Sequence, residues 1–135
     1  MCVAAVTGRA RSDTILLGVT VLTSQTDDNL REVGFRTTVV NQVLLLAELA
    51  KNCGISGLIA SPHELQPLRH RFGSLFTIVT PGVRPTWAET GDQKRVMTPA
   101  DAIQAGADYL VLGRPVTAAP NPREALERIL EEIAA

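Results

Sequence analysis

Two stretches of this 135-residue chain have the residue types and spacing to hold a phosphate ester. The first is Thr80-Pro81-Gly82-Val83-Arg84, followed by Gly91-Asp92-Gln93-Lys94-Arg95-Val96-Met97-Thr98-Pro99. An apolar strand over 76–79 runs into Pro-Gly and a polar loop. A helix start follows, with Thr98 as cap and Pro99 at the first helical position. The second stretch is Gly113-Arg114-Pro115, directly after Tyr109-Leu110-Val111-Leu112. Glycine lets the backbone come close to a ligand, and successive N–H groups form an anion-binding concavity. The planar fork of arginine matches phosphate oxygens in a way lysine does not. Neighbouring strand ends carrying both make a phosphate receptor.

Taken singly, these residues read more plainly. Arg84 before Pro85 is a solvated loop arginine, Gly82 a turn residue, and Gln93 and Arg95 surface groups. Thr23-Ser24 could simply cap a turn beginning at Asp27. Their order along successive strand ends is what favours phosphate. His63, after Ser61-Pro62, reads as a helix-start histidine and His70 as a surface one. Two histidines and the distant Cys2 and Cys53 form no zinc-ligand spacing. Glu131-Glu132 reads as a solvated helix end. No metal and no cofactor is expected.

These residues need a scaffold, and the hydrophobic pattern supplies one. Apolar strands are predicted near 15–22, 57–60, 76–79 and 109–112, each followed by a helical segment. The clearest helix covers 38–52, where Val39, Val43, Leu46, Leu49 and Ala50 recur at helical spacing before Gly54. Further helices are predicted over 62–71, 99–105 and 125–133, the last opened by Asn121-Pro122 in a sequence resembling a capping box. A short turn at 27–30 and a leading helix over 1–11 complete the order, the latter with Val3, Ala4, Ala5 and Val6 on its apolar side. Strands that are apolar almost throughout indicate a parallel sheet buried on both faces.

Composition excludes several function classes. A formal net charge of −1 gives no electrostatic case for nucleic acid or an anionic membrane. One Trp, one Tyr and three Phe are too few for a base-stacking platform. No apolar run is long enough to span a bilayer, and the start lacks the order of a signal peptide. Two cysteines far apart fit a reducing cytoplasm. An apolar content of 45% supports one modest core.

The runs TPGVRP, GDQKRVMTP and AGADYLVLGRP together resemble the C-terminal part of the orotidine 5′-phosphate decarboxylases. The likeness continues upstream through Leu17–Ser24 and Gly57–Glu64, and covers nearly the whole chain. GDQKRVMTP is its specific element; related sugar-phosphate decarboxylases and synthases are expected to lack it. The resemblance implies an α/β fold, half of a (β/α)8 TIM barrel. Residues 1–135 would form a single half-barrel domain with four parallel βα units, strands five to eight of the family barrel. It implies that Thr23 meets a pyrimidine and that Gln93 bridges base and phosphate. The N–H of Gly113 and the guanidinium of Arg114 would hold the phosphate, with Arg84 in the loop beside it. Phosphate sites after strands seven and eight of such barrels agree with that placement.

The resemblance also implies a decarboxylating centre of alternating lysines and aspartates, partly in an Asp-x-Lys-x-x-Asp motif on the early strands. That motif is absent from this sequence, and Asp92 and Lys94 lie in the phosphate-side loop. No catalytic residue is therefore expected in this chain. Its ligand would be a nucleotide monophosphate or phosphate. The alternative is a non-catalytic phosphate-binding half-barrel or assembly module. A half-barrel leaves two strand edges open, so a homodimer or larger homo-oligomer is expected.

Overall fold

The computed structural model of the chain describes residues 1–9, 12–88 and 97–135. The order of elements is α1 (Cys2–Arg9), β1 (Leu17–Val19), α2 (Asp27–Glu32), α3 (Val39–Asn52), β2 (Gly57–Ile59), a 3-10 turn (Pro62–Glu64), α4 (Leu65–Phe72), β3 (Thr77–Thr80), α5 (Pro99–Gln104), β4 (Tyr109–Leu110), α6 (Arg114–Thr117) and α7 (Pro122–Ala134). Among the described residues the strands form one sheet in the order β1-β2-β3-β4, and every pairing is parallel. The four expected strands are present; β1, β2 and β4 are shorter than their apolar runs, and β3 keeps the expected length, shifted by one residue.

The helix starts follow local chemistry. The Thr98 side chain accepts the Asp101 N–H, and Pro99 opens α5. Thr38 does the same for α3 through Asn41 N–H, and Asn121 for α7 through Glu124 N–H. The cap of α2 is Thr26, in a reciprocal capping box with Asn29. Thr23 and Ser24 are therefore not the caps of this helix. In α1 the apolar side differs from the sequence reading. Val3, Ala4 and Ala5 are exposed, while Cys2 and Val6 pack against the core.

Register fixes the two faces of the sheet. Gly18, Leu58 and Ile78 share one row and point toward the helices; Leu58 and Ile78 are each 1% exposed. The core continues through Val43, Ala47, Leu65, Leu68 and Phe76. Val19, Ile59, Val79 and Tyr109 share the next row and point the opposite way. On that face Val19 is 58% and Tyr109 60% exposed. The sheet is thus covered on one face, although its strands are apolar on both.

Arg69 of α4 holds the amino ends of β3 and β4 together. Its guanidinium donates to the carbonyls of Gly73, Phe76 and Gly106, and pairs with Asp108 at 2.6 Å. The same Asp108 oxygen accepts the Ile78 N–H. Gly106, at φ +108°, passes so close to Arg69 that a Cβ there would lie 2.8 Å from its side chain. Arg69→Met leaves several of these acceptors without a donor and is expected to cost about 2–3 kcal/mol in urea unfolding. Arg71→Met breaks an exposed pair with Glu48 and a contact over the Phe72 ring, and is expected to cost no more than about 1 kcal/mol.

Candidate functional site

The carboxyl ends of all four strands lie at the end of the sheet opposite the Arg69 clamp. β1 continues through Thr20, whose N–H donates to Ile59 O, into Val21, Leu22, Thr23 and Ser24. β2 continues into Ala60 and Ser61, β3 into Pro81-Gly82-Val83-Arg84, and β4 into Val111, Leu112, Gly113 and Arg114. A cavity of about 260 Å³ sits over the first three ends. Val19, Val21 and Ile59 form its apolar side, and Thr23, Ser24 and Ser61 supply hydroxyl groups, with Pro81 at the far rim.

Of the residues read from the sequence, Thr23 lies in this wall, half-buried. Gly113 and Arg114 stand at the end of β4, both exposed, where Gly113 precedes the short helix that Arg114 begins. A Cβ on Gly113 would meet nothing within 4 Å, and its φ is −103°. Packing does not demand glycine there, and the space above its Cα is open. Gly82, by contrast, is buried at φ +79°, which is the turn role. Arg84 follows Val83, which bridges Met97 in parallel; the Arg84 N–H donates to Met97 O. The Arg84 side chain donates to the carbonyl of Val83 at 2.8 Å. Gln93 lies outside the described residues. Thr23, Arg84, Gly113 and Arg114 thus share one end of the sheet, and only Thr23 lines the cavity.

The sequence reading missed Ser61. It is fully buried, and its Oγ has no hydrogen-bond partner among the described residues. A buried hydroxyl left unpaired costs free energy unless a ligand or water completes it. The signal lay in Ala60-Ser61-Pro62: a polar residue where a buried strand gives way to a helix start. His63, by contrast, is exposed in the 3-10 turn, and His70 is exposed on α4. No cluster of three or more metal-ligating side chains occurs among the described residues. No helix there is long and apolar enough to cross a membrane.

A parallel βα sheet with its loops gathered at the carboxyl ends of the strands has the class features of a (β/α) barrel. Comparison with known proteins gives the class a family. The sequence model of the orotidine 5′-phosphate decarboxylase / HUMPS family matches residues 1–129, and the chain belongs to that family. It is 54% identical over 120 residues to the orotidine 5′-phosphate decarboxylase of Geotalea daltonii, covering 89% of this chain and 50% of that protein. The enzyme of Geobacter sulfurreducens gives the same identity and coverage. Among solved structures, orotidine 5′-phosphate decarboxylase from Lactobacillus acidophilus superimposes with a TM-score of 0.75 at 41% identity, over 93% of this chain and 52% of that one. An uncharacterized conserved protein from Geobacillus kaustophilus gives 0.77 at 29% identity, over 98% and 58%. The chain spans about half the length of the relatives it matches.

Ser61→Ala separates a binding role from a structural one. Removing an unpaired buried hydroxyl is expected to leave the urea midpoint unchanged or raised. Affinity for UMP, measured by calorimetry, is expected to fall about tenfold, the worth of one hydrogen bond. A lowered midpoint with unchanged affinity would give Ser61 to the scaffold instead.

Proposed function

We propose that this chain is the substrate-holding half of an orotidine 5′-phosphate decarboxylase and grips the nucleotide at the carboxyl ends of its strands. One observation carries the reading. A chain of this family has Thr23, Ser61, Arg84, Gly113 and Arg114 at one end of one parallel sheet, the end at which barrels of this architecture hold phosphate. Arg114 and the N–H of Gly113 take the phosphate, with Arg84 in the neighbouring loop. Thr23 and Ser61 face the pyrimidine across the apolar wall of Val19 and Ile59.

In the reaction, the bond between C6 of the pyrimidine and its carboxylate breaks. Carbon dioxide leaves, and the electron pair that remains on C6 takes up a proton. That step needs a cation beside C6 and an acid able to give a proton. The five strand-end residues include neither a lysine nor a carboxyl group, and arginine stays protonated at neutral pH. The Asp-x-Lys-x-x-Asp string that the resemblance assigns to this task is absent from the 135 residues. The contribution of this chain is therefore binding energy applied at the phosphate, remote from the reacting carbon. Such energy accelerates chemistry only where the reacting groups are also in place. The same absence supports a second reading, a phosphate-binding half-barrel with no catalytic task. The two cysteines are free thiols, which fits the reducing cytoplasm where such an enzyme would act.

Calorimetry of UMP binding to wild type and Arg114→Ala tests the reading. The variant is expected to lose at least about tenfold in affinity, as a charge-assisted hydrogen bond to phosphate is removed. The wild-type chain alone is expected to give no detectable loss of orotidine 5′-monophosphate. Equal binding by both proteins would remove Arg114 from the site, and turnover by the chain alone would overturn the division of labour.

A further inference from the structure

The indole ring of Trp87 and the guanidinium of Arg128 join the loop after β3 to α7, and we propose that this stack positions the phosphate-binding residues Arg84, Gly113 and Arg114. The proposal rests on the reading of those three as the phosphate site, and adds two residues that touch no ligand. The argument starts from the loop. Val83 is fully buried and bridges Met97, and the Arg84 N–H donates to Met97 O at 2.9 Å. Pro85 is buried as well, and the Ala88 N–H donates to Pro85 O at 3.0 Å, which closes a tight turn. Arg84 therefore sits between two buried residues. The turn that follows carries Trp87 to the surface, where it is 36% exposed.

There the ring meets Arg128, whose guanidinium carbon lies 4.4 Å from the ring centroid. That is within the reach of a cation–π contact, and tryptophan is the strongest partner for one. A planar guanidinium also stacks on an aromatic face as an ammonium does not. Arg128 has carboxylates at helical spacing: Glu124 lies four residues before it, Glu131 and Glu132 three and four after. Among the described residues it forms a salt bridge with none of them. One buried oxygen of Glu132 has no hydrogen-bond partner at all. The guanidinium thus lies on the ring although acidic neighbours stand on its own helix.

The place of α7 gives the stack its consequence. α7 packs on α5, which starts directly after Met97 and Thr98, and on α6, which starts with Arg114. Ala125 and Ile129 are its buried residues, and Arg128, exposed beside them, reaches the turn. Among the described residues no hydrogen bond and no other ring contact ties the turn at 85–88 to α7. The Trp87–Arg128 stack is therefore the link between the loop that carries Arg84 and the helix pair that carries Gly113 and Arg114. A site assembled from two loops binds in proportion to the fraction of molecules that hold both in the competent arrangement. An exposed cation–π contact raises that fraction by up to about fivefold. The stack does so without adding a charge or a hydrogen bond to the ligand.

Calorimetry of UMP binding, with Trp87 fluorescence as a second readout, tests the assignment. Trp87 is the only tryptophan in the chain, so its emission reports this contact. Arg128→Met keeps an unbranched side chain and removes the guanidinium. It is expected to shift the emission to longer wavelength, to bind UMP about fivefold more weakly, and to keep the far-UV circular dichroism of the wild type. Arg128→Lys keeps a cation and is expected to recover part of the affinity. Trp87→Leu weakens binding by a similar factor, and the double variant Trp87→Leu/Arg128→Met is no weaker than the weaker single one, because both remove the same contact. Should Trp87→Leu fail to fold, Arg128→Met and Arg128→Lys decide. Unchanged emission in Arg128→Met overturns the proposal, as do losses that add in the double variant or an Arg128→Lys as weak as Arg128→Met. Wild-type affinity in Arg128→Met, with weakened binding in Arg114→Ala, overturns the positioning role and leaves the phosphate site standing. A wild-type chain that does not bind UMP removes both.

Discussion

A parallel sheet of strands apolar on both faces has to be covered on both, and here helices cover one. Everything characteristic of this chain follows from that imbalance. The helix side is a normal core: Leu58, Ile78, Leu65 and Phe76 are buried against one another, and Arg69 ties the strand starts beneath them. The opposite side carries Val19 and Tyr109 to water, and among the described residues no strand pairs with the outer edge of β1 or β4. Burial of apolar area is the main favourable term in folding, so the covered face holds the core.

The same imbalance organises the candidate site. The clamp and the proposed binding residues lie at opposite ends of the strands. Arg69 and Asp108 serve the amino ends; Thr23, Ser61, Gly113 and Arg114 occupy the carboxyl ends. The chain belongs to the orotidine 5′-phosphate decarboxylase / HUMPS family and spans about half the length of the matched relatives.

Much of this was legible in the sequence where the determinant is local. Thr38, Thr98 and Asn121 announce their helices because a cap needs only a side-chain oxygen three residues before an amide. The four strands and their order were legible because each is a compact apolar run between turn signals. Their lengths were legible only for β3. The run over 15–22 yields Leu17–Val19 as strand, flanked by single ladder bonds at Leu16 O and Thr20 N–H. The α6 turn at Arg114–Thr117 was hidden by the proline within it, which is tolerated in a first helical turn. Ser61 was missed because Ala60-Ser61-Pro62 signals only a polar residue at a strand-to-helix junction; its burial without a hydrogen-bond partner exists only after folding. The plainer alternative for Thr23-Ser24, a cap for the turn at Asp27, falls to Thr26: all three are chemically able to cap, and the reciprocal bond with Asn29 selects Thr26.

The central claim is that one end of this sheet holds a nucleotide monophosphate. Backbone amide chemical shifts recorded while UMP is titrated into the isotope-labelled chain test it most directly. The account predicts saturable shifts concentrated at residues 22–24, 60–61, 82–84 and 113–116, with the amides of Gly73, Ile78 and Asp108 at the clamped end unmoved. Shifts centred on that clamped end, or no saturable shift at millimolar UMP, would contradict it.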